Sequence, residues 1–138
     1  ALVLFFTRQN GQSRYVAGAN PEDVVHNYVL AVLNKDYQKA YGYLADLENK
    51  PTYEEFRQSF FNGMVYPTDS GVEVGSAEIN GNEAIVTLSV YYSVNDPFAS
   101  RYASEDRALL VKQDGTWKLS SMPNNFWDYG WYQKPYKP

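Results

Sequence analysis

From Ala84 to Val94 every second residue is apolar: Ala84, Val86, Leu88, Val90, Tyr92 and Val94. A strand sends successive side chains to opposite faces, so this run has one face that must be buried. Glu83, Thr87, Ser89 and Ser93 occupy the other face, with Ile85 and Tyr91 as its apolar members. An amphipathic helix cannot use that period. Asn80-Gly81 immediately before it is a hairpin signal, which makes 72–79 an antiparallel partner. Beyond a loop at 95–100, residues 105–112 read as a third strand. Asp114-Gly115 reads as a second hairpin turn and 116–121 as a fourth strand. A half-apolar meander of this kind needs a second layer to cover it.

That layer precedes it. Asn20 is a good N-cap, Pro21 suits the first helical position, and Glu22 and Asp23 favour the positive helix end. Val25, Tyr28, Val29, Val32 and Leu33 follow at helical spacing, and the helix is expected to stop near Asn34-Lys35. Burying this stripe contributes on the order of 10 kcal/mol before chain entropy is counted. Asp36 is expected to cap a second helix over 37–47, with Ala40, Tyr41, Leu44 and Leu47 on its apolar face and Gly42 inside it. Lys50-Pro51 breaks it. Thr52 followed by Glu55 is a capping box, opening a third helix over 53–61 that buries Phe56 and Phe60.

Three helices and at least four antiparallel strands make an α+β domain, with the sheet bent around the long first helix. In that order of elements, and in the hairpin Gln113-Asp114-Gly115-Thr116-Trp117-Lys118-Leu119, residues 20–122 resemble the nuclear transport factor 2-like superfamily. The likeness is strongest to bacterial envelope members, namely small lipoprotein domains and the N-terminal accessory domain of penicillin-binding transpeptidases. The resemblance implies a cone-shaped fold and an extracytoplasmic, envelope location. It does not fix function, because this fold hosts enzymes, transport adaptors and passive scaffolds.

The residues narrow the chemistry. Cysteine is absent, which removes disulfides, thiolate metal sites and thiol nucleophiles. The one histidine, His26, lies beside the apolar stripe and reads as a boundary residue; alone it is poor material for zinc. Net charge is −4 with scattered Lys and Arg, so no phosphate track for nucleic acid is expected. Enzymes resembling this fold, such as steroid isomerases and polyketide cyclases, place Asp, Tyr or His inside the cone. Here the inward face of the long strand offers only the Tyr92 hydroxyl, and Asp96 and Asp106 are expected at strand ends or loops. No catalytic, cofactor-binding or metal residue is therefore assigned and no cofactor is expected. The favoured function is a non-catalytic binding or scaffolding domain; the alternative is a small-molecule enzyme or carrier using the cone cavity.

The two ends stand apart from this plan. Ala1-Leu2-Val3-Leu4-Phe5-Phe6 is unbroken apolar sequence, followed by a polar linker over 7–19. Two readings stand open for the 1–19 arm: the tail end of a membrane anchor that tethers the domain, or a short edge strand or packed arm. Six residues alone cannot cross a bilayer, which takes about 20. At the other end, 123–138 reads as an aromatic tail beyond a domain complete at residue 122. Phe126, Trp127, Tyr129, Trp131 and Tyr132 are five aromatics in seven residues of a chain that is 17% aromatic overall. They either seal the mouth of the cone or anchor another molecule (a protein partner or second copy, a glycan or a membrane headgroup region), with Trp127 and Trp131 contributing most. On that plan a chain cut after Asn125 stays folded, with weakened association to itself or to a partner.

Overall fold

The computed structural model describes residues 2–5, 14–67, 70–91 and 103–133. Among these, three helices and five strands follow one another: β1 (Leu2–Phe5), α1 (Pro21–Leu33), α2 (Tyr37–Tyr41), α3 (Tyr53–Phe61), β2 (Gly71–Asn80), β3 (Glu83–Tyr91), β4 (Ala103–Gln113) and β5 (Thr116–Ser121). The strands form one antiparallel sheet in the order β1-β2-β3-β4-β5. The expected α+β layout is present, with the edge-strand reading of the N-terminal run realised at residues 2–5. Tyr92, Val94, Asp96, the 95–100 loop and residues 134–138 lie outside the described residues.

Strand alternation decides which face is covered. Ala84, Val86, Leu88 and Val90 are all buried, and so are Val72 and Val74 of β2, Ala108 and Leu110 of β4 and Trp117 and Leu119 of β5. Directly opposed residues share a face, and the register pairs Val74 with Leu88 and Val86 with Ala108. Against this face lies α1, which packs on β2, β3 and β5. The sheet curves where the register slips, between Val74 and Ala77 in β2 and beside Leu109 in the β4–β5 ladder; a bulge bends its strand and increases its twist. Gly75 sits in the first of these bulges. A Cβ there would lie 2.8 Å from the carbonyl oxygen of Thr87, so the strands approach this closely only because the residue is glycine. Leu88→Ala is expected to lower stability by about 2–5 kcal/mol, read from a urea melt, because Leu88 is fully enclosed between α1 and the sheet.

α1 is buried over almost its whole length rather than along one stripe: residues 24–32 are all covered. The 14–19 segment, expected to be linker, supplies part of the cover. Asn27 makes a two-way hydrogen bond with the Val16 backbone, at 2.9 Å in each direction. His26 is accordingly not a boundary residue but a buried one. Its Nε2 donates to the Arg14 carbonyl at 2.6 Å, and its Nδ1 is buried without a hydrogen-bond partner.

Three local expectations shift. Asn20 occupies the N-cap position, but its backbone carbonyl, not its side chain, takes the amides of Asp23 and Val24. The second helix ends at Tyr41 instead of reaching 47, because the chain turns at Gly42 to pair with β5. The Leu119 amide donates to the Tyr43 carbonyl and the Ala45 amide to the Leu119 carbonyl, both at 2.8 Å. Leu44 remains in the core, while Leu47 is exposed and Phe60 is only half-buried. The first hairpin turn is centred on Gly81 and Asn82, one residue later than expected, with Gly81 at φ +63°. The second is as expected, with Asp114 and Gly115 both in the left-handed region that a two-residue turn of this kind requires. The capping box is complete: Thr52 Oγ1 accepts from the Glu55 amide and Glu55 Oε1 from the Thr52 amide.

Candidate functional site

The aromatic segment 126–132 is the chemically densest part of the chain, and the structure places most of it inside. Phe126, Trp127 and Trp131 are buried, together with Met122, in the same core as α1 and the sheet. The domain is therefore not complete at residue 122. Helix α1 and the sheet leave one side of the core uncovered, and the segment after β5 fills it.

Polar groups fix the segment in place. The buried Tyr28 hydroxyl donates to the Phe126 carbonyl at 2.7 Å, tying the segment to α1. On α3, Ser59 Oγ accepts from Trp131 Nε1 at 2.9 Å and donates to an Asp128 carboxylate oxygen at 2.8 Å. The other Asp128 oxygen takes the Gly130 amide at 2.7 Å. Tyr132 donates its hydroxyl to the Ala45 carbonyl at 2.6 Å and its amide to the Asn49 carbonyl at 3.2 Å. Around these bonds the rings stack: Trp131 lies 4.8 Å from Phe56 and 5.0 Å from Trp127, and Trp127 lies parallel to Tyr132 at 5.9 Å. Aromatic pairs in such offset and edge geometries contribute about 0.5–1.5 kcal/mol each beyond their buried area.

Of the five residues singled out from the sequence, Trp127 and Trp131 are thus occupied by their own fold and cannot serve as exposed anchors. The same holds for Phe126. Tyr132 is half-buried, and Tyr129 alone stays more than half exposed, although its hydroxyl donates to the Met122 carbonyl at 2.6 Å. Ser59, Asp128 and Tyr28 were not visible as partners. Ser59 carried a signal all the same, as a polar residue in the Phe56/Phe60 stripe of α3.

Asp106 was expected at a strand end or in a loop. It stands within β4, opposite Leu88, and so belongs to the concave face and not to a loop. It is half-buried, and its Oδ1 takes the Arg107 amide at 2.8 Å. Its charge reaches Tyr129: burial pushes that phenol above its ordinary range, and Asp106 adds to the shift against a hydrogen bond with Ser121. Ser104 follows on the same face. Among the described residues no three His, Cys, Asp or Glu gather as metal ligands. Open depressions are present among the described residues. One of about 600 Å³ lies along Glu78, Ile85, Thr87, Glu105, Asp106 and Arg107. Another, of about 200 Å³, lies where Lys50, Pro51 and Glu55 meet Gly130 and Trp131.

The buried phenols make the fold sensitive to alkali. Burial raises Tyr28 well above the ordinary phenol range, and raises Tyr132 similarly, with the neighbouring Tyr41 and Asp46 adding to it. The neutral phenol is thus favoured in the folded state. Stability is fully present below the unfolded value near pH 10 and declines as pH rises towards the folded values. Tyrosine absorbance titration is expected to show a slow class that ionises only as circular dichroism is lost. Tyr132→Phe is expected to move that alkaline midpoint upward.

No protein-family model matches the chain, and no curated protein does. Solved structures do match. A calcium/calmodulin-dependent protein kinase type II association domain from Thiobacillus denitrificans aligns at TM-score 0.53 and 11% identity, over 72% of this chain and 89% of that one. A protein of unknown function with a cystatin-like fold from Nostoc punctiforme aligns at 0.51 and 18%, over 70% and 80%. A nuclear transport factor 2-like transpeptidase from Campylobacter jejuni aligns at 0.47 and 18%, over 72% and 96%. The chain has the nuclear transport factor 2-like α+β fold, three helices against a curved antiparallel sheet. Among the described residues no helix is long and apolar enough to cross a membrane.

Proposed function

We propose that this is a non-catalytic binding or scaffolding domain, an accessory part of a bacterial cell-envelope assembly held outside the cytoplasm. The observation that carries the non-catalytic part is the filling of the interior. Met122, Phe126, Trp127 and Trp131 take up space between α1, α3 and the sheet, where an enzyme of this fold would keep a pocket. The envelope assignment rests on the resemblance of residues 20–122 to envelope domains. Within the aromatic segment, Tyr129 is the residue left to meet a protein partner or second copy. The test is a photocrosslinking side chain at position 129 of the full chain, expressed in a bacterial envelope. A discrete crosslinked partner or dimer supports the proposal; a clean monomer counts against it.

Asp106 and Tyr129 favour a second reading, a small-molecule carrier or enzyme working at that end of the concave face. Thermal shift against small carbonyl compounds separates the two. Saturable stabilisation that Asp106→Asn abolishes supports the second reading, and none supports the first.

A further inference from the structure

α3 ends in a tip that the fold does not use. Phe61, Met64 and Tyr66 are 59%, 64% and 67% exposed. Between and beneath them the chain is firmly held. The Val65 side chain is buried and its amide donates to the Ser59 carbonyl at 2.9 Å, folding the loop back on the helix. Met64 donates its amide to Asn62 Oδ1 at 3.0 Å. Gly63, at φ +82°, has nothing within 4 Å of where a Cβ would stand, so the tip points into open solvent. Tyr37 backs it, stacked on Phe60 at 4.7 Å and edge-on to Phe61 at 5.8 Å. From Gln58 to Pro67 the sequence carries no charged residue. The cation at its base is Arg57, with its guanidinium 4.9 Å from the Phe61 ring centre and bonded to Glu54 at 2.9 Å.

We infer that this tip inserts into the interfacial layer of a lipid bilayer. Two features favour lipid over a protein partner. At these exposures, side chains of this size (about 150–250 Å² for the aromatic ones) offer roughly 350 Å². A stable protein interface takes about 800 Å² from each side. A bilayer asks for no complementary shape, and a convex tip of Phe, Met and Tyr without charge meets its needs. Tyr is favoured at headgroup depth, and Arg57 sits at the base of the tip, where an arginine can keep its aliphatic stem in apolar surroundings and its guanidinium among phosphates. The inference goes beyond the scaffolding proposal and is tested without a protein partner.

The experiment is co-sedimentation of the full chain with phosphatidylcholine vesicles. The variant carrying Phe61→Ser, Met64→Ser and Tyr66→Ser together is expected to bind roughly tenfold less, while keeping a cooperative thermal melt lowered only by the loss of the Phe61 contacts with Tyr37 and Arg57. Met64→Trp reports position: brominated phosphatidylcholine is expected to quench its emission. Equal sedimentation of parent and triple variant, or no quenching, would place any membrane contact elsewhere and overturn the inference. So would a concentration-dependent dimer that the triple variant loses while neither chain binds vesicles.

Discussion

A chain ending at Asn125 is expected not to fold. It lacks Phe126, Trp127 and Trp131, which are buried in the core, and the acceptor of the buried Tyr28 hydroxyl. Removing a single buried Phe or Trp side chain costs about 3–5 kcal/mol. A domain of this size has about 5–15 kcal/mol in total, so three such losses exhaust it. Circular dichroism of the truncated chain is expected to show no cooperative urea transition. A sigmoidal melt close to that of the full chain would show that the segment is dispensable, as a domain ending at residue 122 requires.

Trp131→Ala is expected to lower stability by about 3–5 kcal/mol on the same scale, the largest single-site loss in the segment. It removes the ring from between Phe56 and Trp127 and takes away the donor to Ser59 Oγ. Trp131→Phe separates the two effects. It keeps most of the packing and loses the hydrogen bond, worth about 0.5–1.5 kcal/mol, so its loss is expected to be well under half that of Trp131→Ala. Equal losses from both variants in urea melts would mean that the indole N–H, and not the ring, holds the segment.

The sheet was legible because its period is local. Apolar residues at every second position of 84–90 fixed the buried face of β3, and Asp114-Gly115 and the Thr52–Glu55 capping box marked ends through residues whose chemistry suits few other places. Elements failed where a distant partner decides. α2 stops at Tyr41 because Leu119, far along the chain, offers backbone bonds to Tyr43 and Ala45. The Phe126–Tyr132 segment has no period at all. Its burial depends on the gap that α1 and α3 leave beside the sheet, which no short-range pattern encodes. The face on which Asp106 stands was missed for a related reason. That face follows from the register with Leu88, and register is a property of two strands.

The central claim is that the C-terminal aromatic segment belongs to the core. It is tested most directly by acrylamide quenching of the native tryptophan fluorescence. All three tryptophans, Trp117, Trp127 and Trp131, are buried. The expected result is blue-shifted emission with weak quenching throughout, passing to red-shifted and freely quenched emission in one transition that coincides with loss of circular dichroism. A native fraction quenched as freely as the urea-unfolded chain would contradict it, by showing that Trp127 and Trp131 lie in solvent while the rest of the domain is folded.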